Sequence, residues 1–265
     1  MVIFNNPQDP FTNKEFIKVL MDYVKINYIN DCPTFNGKTF FWSTKYYSDI
    51  KCQYLLNKSD KNKKSYKLFF LKHPESYQES YNKYTKNFRN AVNKSKKQAL
   101  ILEIISDPSI EMINSCYAIY QKNMDILKTF SFSREFFQKV CRLSYSRLWV
   151  VRKNDQTVSF ALMLSNLMFI QSSNHLGKEI CANNFLYDSL LKEMAHNYIF
   201  FGIASKNNSG LFKFKVDAGF DVWSAAETKF DIFQHIPSFL RNNFIAWFFL
   251  KFINKDKLIK YCLPY

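Results

Sequence analysis

Ile199-Phe-Phe-Gly-Ile-Ala-Ser-Lys-Asn-Asn-Ser-Gly-Leu-Phe-Lys-Phe-Lys-Val-Asp-Ala-Gly-Phe-Asp-Val-Trp223 is the stretch whose reading decides the fold. It opens on an apolar run of strand length, 199–204, and crosses a polar loop. A short helix then opens at Gly210, and a second strand begins near Val222. The chain holds only five glycines, and four of them lie between Gly177 and Gly219. Glycine lacks a Cβ, so such a concentration marks where the backbone turns back or is closely approached. The competing reading is that these glycines only cap and turn.

Upstream of this stretch, Asn183 or Asn184 caps a helix whose apolar face is Leu186, Leu190, Leu191, Met194 and Tyr198. Before it runs a meander of strands at 148–152, 158–164 and 167–172. Its turns at 153–156 and 165–166 carry Asn and Asp, which tolerate left-handed backbone. A strand at 100–105 leads to Asp107-Pro108, which opens a helix reaching about Met124, and Ser133 caps another to about Ser144. Residues 76–98 read as one basic helix with a stripe of Tyr77, Tyr81, Tyr84, Phe88 and Val92. Lys83, Lys86, Arg89, Lys94, Lys96 and Lys97 decorate the rest. Further upstream the spacing predicts a helix over 13–29 and strands at 39–42, 51–56 and 66–71, the last two joined by the polar loop 58–64. The strand after Gly219 is read over 222–230.

Charge divides the chain unevenly. Residues 1–100 carry 18 basic and 8 acidic side chains, residues 101–235 carry 14 and 13, and residues 236–265 carry 5 and 1. The ends therefore attract phosphate on nucleic acid, anionic lipid or substrate, or they are simply a solvated surface. The tail pairs Phe239, Leu240, Ile245, Trp247, Phe248, Phe249 and Leu250 with Arg241, Lys251, Lys255, Lys257 and Lys260. That composition suits peripheral contact with an anionic membrane through 236–262, or packing on the first half's sheet. The six cysteines (Cys32, Cys52, Cys116, Cys141, Cys181, Cys262) show no paired ligand spacing, so neither a metal site nor a disulfide framework is expected. The first ten residues lack a basic leader before an apolar stretch, which predicts no signal peptide and a cytoplasmic location.

From 100 to 230 the element order is strand, two helices, three antiparallel strands, helix, strand, helix, strand. This order resembles the GNAT acyltransferase fold, and more specifically its FemAB-like branch of peptidyl- and aminoacyl-transferring enzymes. The residues carrying the resemblance are the basic helix Tyr84-Thr-Lys-Asn-Phe-Arg-Asn-Ala-Val-Asn-Lys94, Asp155 in its hairpin turn, the helix over 184–195, and Asn208-Ser-Gly-Leu-Phe-Lys-Phe-Lys215 followed by Gly219-Phe220. It implies an α+β fold with a mixed, mostly antiparallel sheet flanked by helices. Residues 1–98 form a truncated GNAT-like half, 99–235 a complete acyltransferase core, and 236–265 a basic amphipathic tail.

The resemblance further implies that two neighbouring parallel strands, 167–172 and 199–204, splay apart. Their freed amides then bind an acyl donor and polarise its carbonyl. Donor contacts fall on Gln171, Ser172, Ser173, Asn183, Asn184, Ser205, Asn207 and Asn208. Lys213 and Lys215 hold a phosphate or lie along the surface, and His175 and Glu179 are the candidate bases. The expected donor is acyl-CoA, with aminoacyl-tRNA as the other choice and no metal. The acceptor is an amine of a cell-envelope precursor such as an amino sugar. The loop Ser172-Ser-Asn-His-Leu-Gly-Lys-Glu-Ile-Cys-Ala-Asn183 holds one glycine, where the acetyl-CoA version of the fold is glycine-rich. Two readings from other classes are a nucleic-acid-binding module using the helix 83–97, and an inactive membrane-associated scaffold of the same fold.

Overall fold

The computed structural model describes residues 13–23, 27–29, 32–35, 38–39, 66–71, 76–127, 131–194, 199–205 and 209–224. The expected helix over 13–29 is shorter. Helix α1 spans Lys14–Met21, with the Asn13 side chain accepting from the Glu15 N–H, and it stops at Asp22. Its buried residues are Phe16, Ile17 and Leu20. Beyond it Asn27–Ile29 (β1) is a strand instead, paired antiparallel with Cys32–Phe35 (β2), which pairs with Lys38–Thr39 (β3). Three- and four-residue spacing of apolar side chains continued past the point where strand pairing claimed the backbone. The expected strand at 51–56, the loop 58–64 and everything beyond 224 lie outside the described residues.

Among the described residues the main sheet has seven strands: Tyr66–Leu71 (β4), Ile101–Ile105 (β5), Ser146–Lys153 (β6), Gln156–Leu164 (β7), Leu167–Ser173 (β8), Ile199–Ser205 (β9) and Asp221–Ser224 (β10). Their spatial order is β10-β4-β9-β8-β7-β6-β5. Strands β6 to β8 form the antiparallel meander that the turn chemistry predicted, and β5 adds antiparallel to β6; Asn154, Asp155 and Ser165 all take positive φ. Strand β4 comes from far upstream yet lies between β9 and β10, antiparallel to both.

Among the described residues, seven helices join α1 around this sheet: Tyr77–Lys83 (α2), Lys86–Lys96 (α3), Ile110–Ile126 (α4), Arg134–Cys141 (α5), His175–Glu179 (α6), Ala182–Glu193 (α7) and Ser209–Asp217 (α8). Successive side chains on a strand point to opposite faces, and both faces are covered. Leu148, Val150, Phe160, Leu162 and Leu167 pack with α1, α4 and α5. Trp149, Val151, Ala161, Met163 and Met168 pack with α3, α7 and α8. This double burial explains why the strand segments read as nearly continuous apolar runs.

Further helix boundaries differ from the sequence reading. The stretch 76–98 is broken at Tyr84, whose backbone is extended, and Thr85 recaps it by accepting from the Phe88 N–H. The Thr85 N–H donates to the Asp217 carbonyl at 2.9 Å, and a Cβ on Gly219 would stand 2.6 Å from the Lys83 Cβ. The joint is thus seated on the end of α8. Helix α4 is capped by Ser109 rather than Asp107, because the Ser109 hydroxyl accepts from the Met112 N–H.

The joint is held from a third side by Asp188 of α7, which is 1% exposed. Its carboxylate accepts from Tyr77 at 2.5 Å and Tyr84 at 3.3 Å, and it pairs with Lys96 at 3.0 Å. One buried acid therefore ties α2 and α3 to α7. Burial, followed by this carboxylate, raises the Tyr77 hydroxyl well above its ordinary range, and Tyr84 likewise.

Candidate active site

Strands β8 and β9 run parallel but share a single register pair, Leu167 with Phe200, near the start of both. Past that pair neither strand continues the ladder with the other, and the sheet opens toward Ser173 and Ser205. Each strand is the edge of its own antiparallel unit, β5–β8 on one side and β9-β4-β10 on the other. Two twisted units joined at one point diverge with distance from it. Backbone groups on the facing edges are left for a ligand, since each carries an obligatory donor or acceptor.

The β4–β9 register shifts between Leu68 and Phe70, so Phe201 has no partner across either neighbouring strand. Its carbonyl accepts from the Lys215 ammonium instead. Lys215 lies on α8 and is 3% exposed; burial pulls its pKa down to about 7. Around it, Phe201 stacks on Phe220 at 3.7 Å and on Tyr187 at 5.1 Å, so the lysine lies against an aromatic cluster. Lys213, two residues away, is 67% exposed and pairs with Asp217 at 2.8 Å. The structure therefore separates the two lysines that the sequence grouped.

On β8, the Gln171 Nε2 and the Ser173 Oγ are buried without a hydrogen-bond partner among the described residues. Ser172 points to the other face, where its hydroxyl accepts from the Asn123 side chain at 2.9 Å. Asn123 in turn accepts from Lys178 at 2.6 Å, so α4, α6 and β8 are linked at the end of the cleft edge. Sequence reasoning missed Asn123, whose partner is 49 residues away. The Ser159 Oγ stands 2.7 Å from the Asn183 Oδ1 and 3.2 Å from the Ser172 carbonyl oxygen, and its one proton serves either acceptor.

Neither Asn183 nor Asn184 caps a helix. Asn174 caps α6, accepting from the Gly177 N–H at 2.8 Å, and its side chain donates to the Thr157 carbonyl at 3.1 Å. Helix α7 starts after Cys181, which takes φ 59° and gives no side-chain cap. The reversal between α6 and α7 puts Asn183 one residue inside the helix, where it reaches Ser159 instead. Gly177 is required here: a Cβ would lie 2.2 Å from the Val158 carbonyl oxygen.

His175 and Glu179 stand one turn apart on α6, exposed, with the Nδ1 3.4 Å from the carboxylate. The side chain of Ser205 and all of Asn207 and Asn208 lie outside the described residues. On α3, Lys94 donates to the Glu179 carbonyl and Lys96 pairs with Asp188, so two of the six cations on the 83–97 stretch serve the fold itself. No described helix is long and apolar enough to cross a membrane.

A central sheet opened between two parallel strands, with helices on both faces, gives the chain a GNAT-like α+β fold. The crystal structure of FemX superposes with a TM-score of 0.52 at 10% identity, over 64% of this chain and 63% of that one. The chain thus spans a little under two thirds of the FemX length. A chain described as the C-terminal domain of a putative lysylphosphatidylglycerol synthetase from Agrobacterium fabrum aligns over 60% of this chain and 58% of its own, at 13% identity and a TM-score of 0.43. No family model and no curated sequence matches the chain.

Proposed function

We propose that this chain is an N-acyltransferase. It moves an acyl or aminoacyl group from a thioester or ester donor, acyl-CoA before aminoacyl-tRNA, onto an amine of a cell-envelope precursor such as an amino sugar. The observation that carries this reading is the single register pair between β8 and β9, with unladdered backbone beyond it. In the reaction the amine nitrogen bonds to the acyl carbon and the carbon–sulfur or carbon–oxygen bond breaks. The nitrogen's proton goes to a base, and the leaving thiolate or alkoxide takes one up. Backbone N–H groups of the opening stabilise the oxyanion, the contribution that weighs most in acyl transfer. Gln171 and Ser173 add unused polar groups along β8. His175, backed by Glu179, is the assigned proton acceptor.

The test incubates the purified chain with labelled acyl-CoA or aminoacyl-tRNA and amine acceptors. Transfer that falls at least tenfold in His175→Ala, with the melting temperature unchanged, supports the reading. A donor that neither raises the melting temperature nor yields product overturns it.

A further inference from the structure

Strand β5, Ile101-Leu-Glu-Ile-Ile105, ends the main sheet, and among the described residues only β6 pairs with it. A strand edge presents a row of unpaired N–H and C=O groups, which proteins blunt with lysine, proline or a bulge. Strand β5 holds no lysine or proline, and its pairing with β6 runs from Ile101 to Ile105 without a shift. All its residues except Glu103 are aliphatic. Ile101 is 60% exposed and Ile104 45%, so both side chains stand open to solvent.

The order of residues along β5 makes it complementary to itself. Leu102 and Ile104 lie on the sheet face covered by α3 and α7, and Ile101, Glu103 and Ile105 on the face covered by α1, α4 and α5. A second β5, laid antiparallel about a two-fold axis through Glu103, sets Ile101 against Ile105 and Leu102 against Ile104, each twice. Every aliphatic side chain then meets an aliphatic one on its own face. Glu103 meets its own copy, but its charge is answered within each chain by Arg152 at 3.4 Å. A two-residue slip in either direction sets an isoleucine against Glu103, so one register is favoured.

The surrounding charge permits the approach. Residues 99–111 carry Glu103, Asp107 and Glu111 and no lysine or arginine, and β6 sets Arg152 and Lys153 beside them. In a chain of net charge +15 this end of the sheet is locally balanced, so two copies meet here without the repulsion that the basic surfaces impose. We infer that β5 is a self-association edge: two copies of this chain pair β5 to β5, antiparallel and centred on Glu103, into one sheet continuous across both. The inference stands apart from the transfer reading, since β6 and β7 separate β5 from the opening at β8. So short an edge makes a small contact, and the dimer is weak, with a Kd on the order of tens of micromolar.

Sedimentation equilibrium of the full chain up to about 200 µM tests it, together with cross-linking of single-cysteine substitutions by a short bismaleimide, measured against the parent's own cysteines. The parent shows a monomer–dimer equilibrium. Ile104→Lys weakens it at least about tenfold while its far-ultraviolet circular dichroism matches the parent's. Glu103→Cys cross-links to its copy well before Ile101→Cys does. The two 103 positions face each other at about 5 Å, whereas the two 101 positions lie about 13 Å apart along the strands. A chain that stays monomeric at that concentration, a dimer that Ile104→Lys leaves intact, or equal cross-linking of the two cysteine variants overturns the proposal. Should Ile104→Lys lose structure, the cross-linking ratio decides.

Discussion

Replacing Lys215 by methionine isolates the one buried cation that the described cleft region carries. Its pKa falls from 10.5 to about 7 because burial disfavours the charged form. A tenfold change in a proton equilibrium corresponds to about 1.4 kcal/mol, so holding the ammonium inside costs on the order of 5 kcal/mol below pH 7. The sign of the pH effect follows from proton counts. Between pH 7 and 10.5 the unfolded chain keeps a proton at this lysine that the folded chain has released, so stability rises with pH in that window. The rise amounts to about 2 kcal/mol between pH 7 and 9. Methionine fills much of the same space without the charge but leaves the Phe201 carbonyl unpaired, at a cost of about 1–3 kcal/mol that does not vary with pH. Urea denaturation at pH 7, 8 and 9, parent minus Lys215→Met, is the assay. Taking the difference cancels the tyrosines and thiols, whose ionisation in the unfolded chain lowers stability at higher pH. The parent gains about 2 kcal/mol over the variant across this range. A difference that stays flat, or falls, refutes the claim that Lys215 is buried and neutral at pH 8.

Asp188→Asn removes the acid that holds Tyr77, Tyr84 and Lys96. Lys96 is partly exposed, so the expected loss is about 2–3 kcal/mol, below the full value for a wholly buried pair. A melting temperature lowered by several degrees checks it. The glycines separate cleanly. Gly219→Ala meets Lys83 at 2.6 Å with φ at +76° and loses about 1–3 kcal/mol. Gly177→Ala, 2.2 Å from a backbone oxygen, loses at least as much, whereas Gly210→Ala meets nothing within 4 Å and gains about 0.5 kcal/mol. Calorimetric melting of the three variants reads this order directly. Burial pushes the Cys141 thiol up to about 12 and Cys116 further. Peptide-resolved iodoacetamide labelling at pH 8 therefore modifies half-buried Cys181 well before either.

Much of the fold was legible because local rules and tertiary demands agree along 131–224. Asn and Asp at the hairpin turns take the left-handed backbone they tolerate, and Ser133 caps the helix it precedes. Where the two disagreed, packing decided. The period-3.6 stripe through Tyr77, Tyr81, Tyr84 and Phe88 survives a break at Tyr84, because the chain bends over Gly219 without changing which side is apolar. Asn183 carries a good cap residue's chemistry, yet Cys181 turns the chain first and Asn174 does the capping.

The sequence by itself determined which segments pair as neighbours in the meander and which residue types gather near the end of β8. Alternation, turn residues and glycine spacing act within a few residues and need no distant partner. Only the tertiary structure decided that residues 66–71 enter the sheet between β9 and β10, that Lys215 is buried while Lys213 is not, and that Arg152 and Asn123 reach groups about 49 positions away. Those outcomes depend on which strand edge is left open and which face is covered. Burial and hydrogen bonding between remote segments settle both, and no local pattern encodes them.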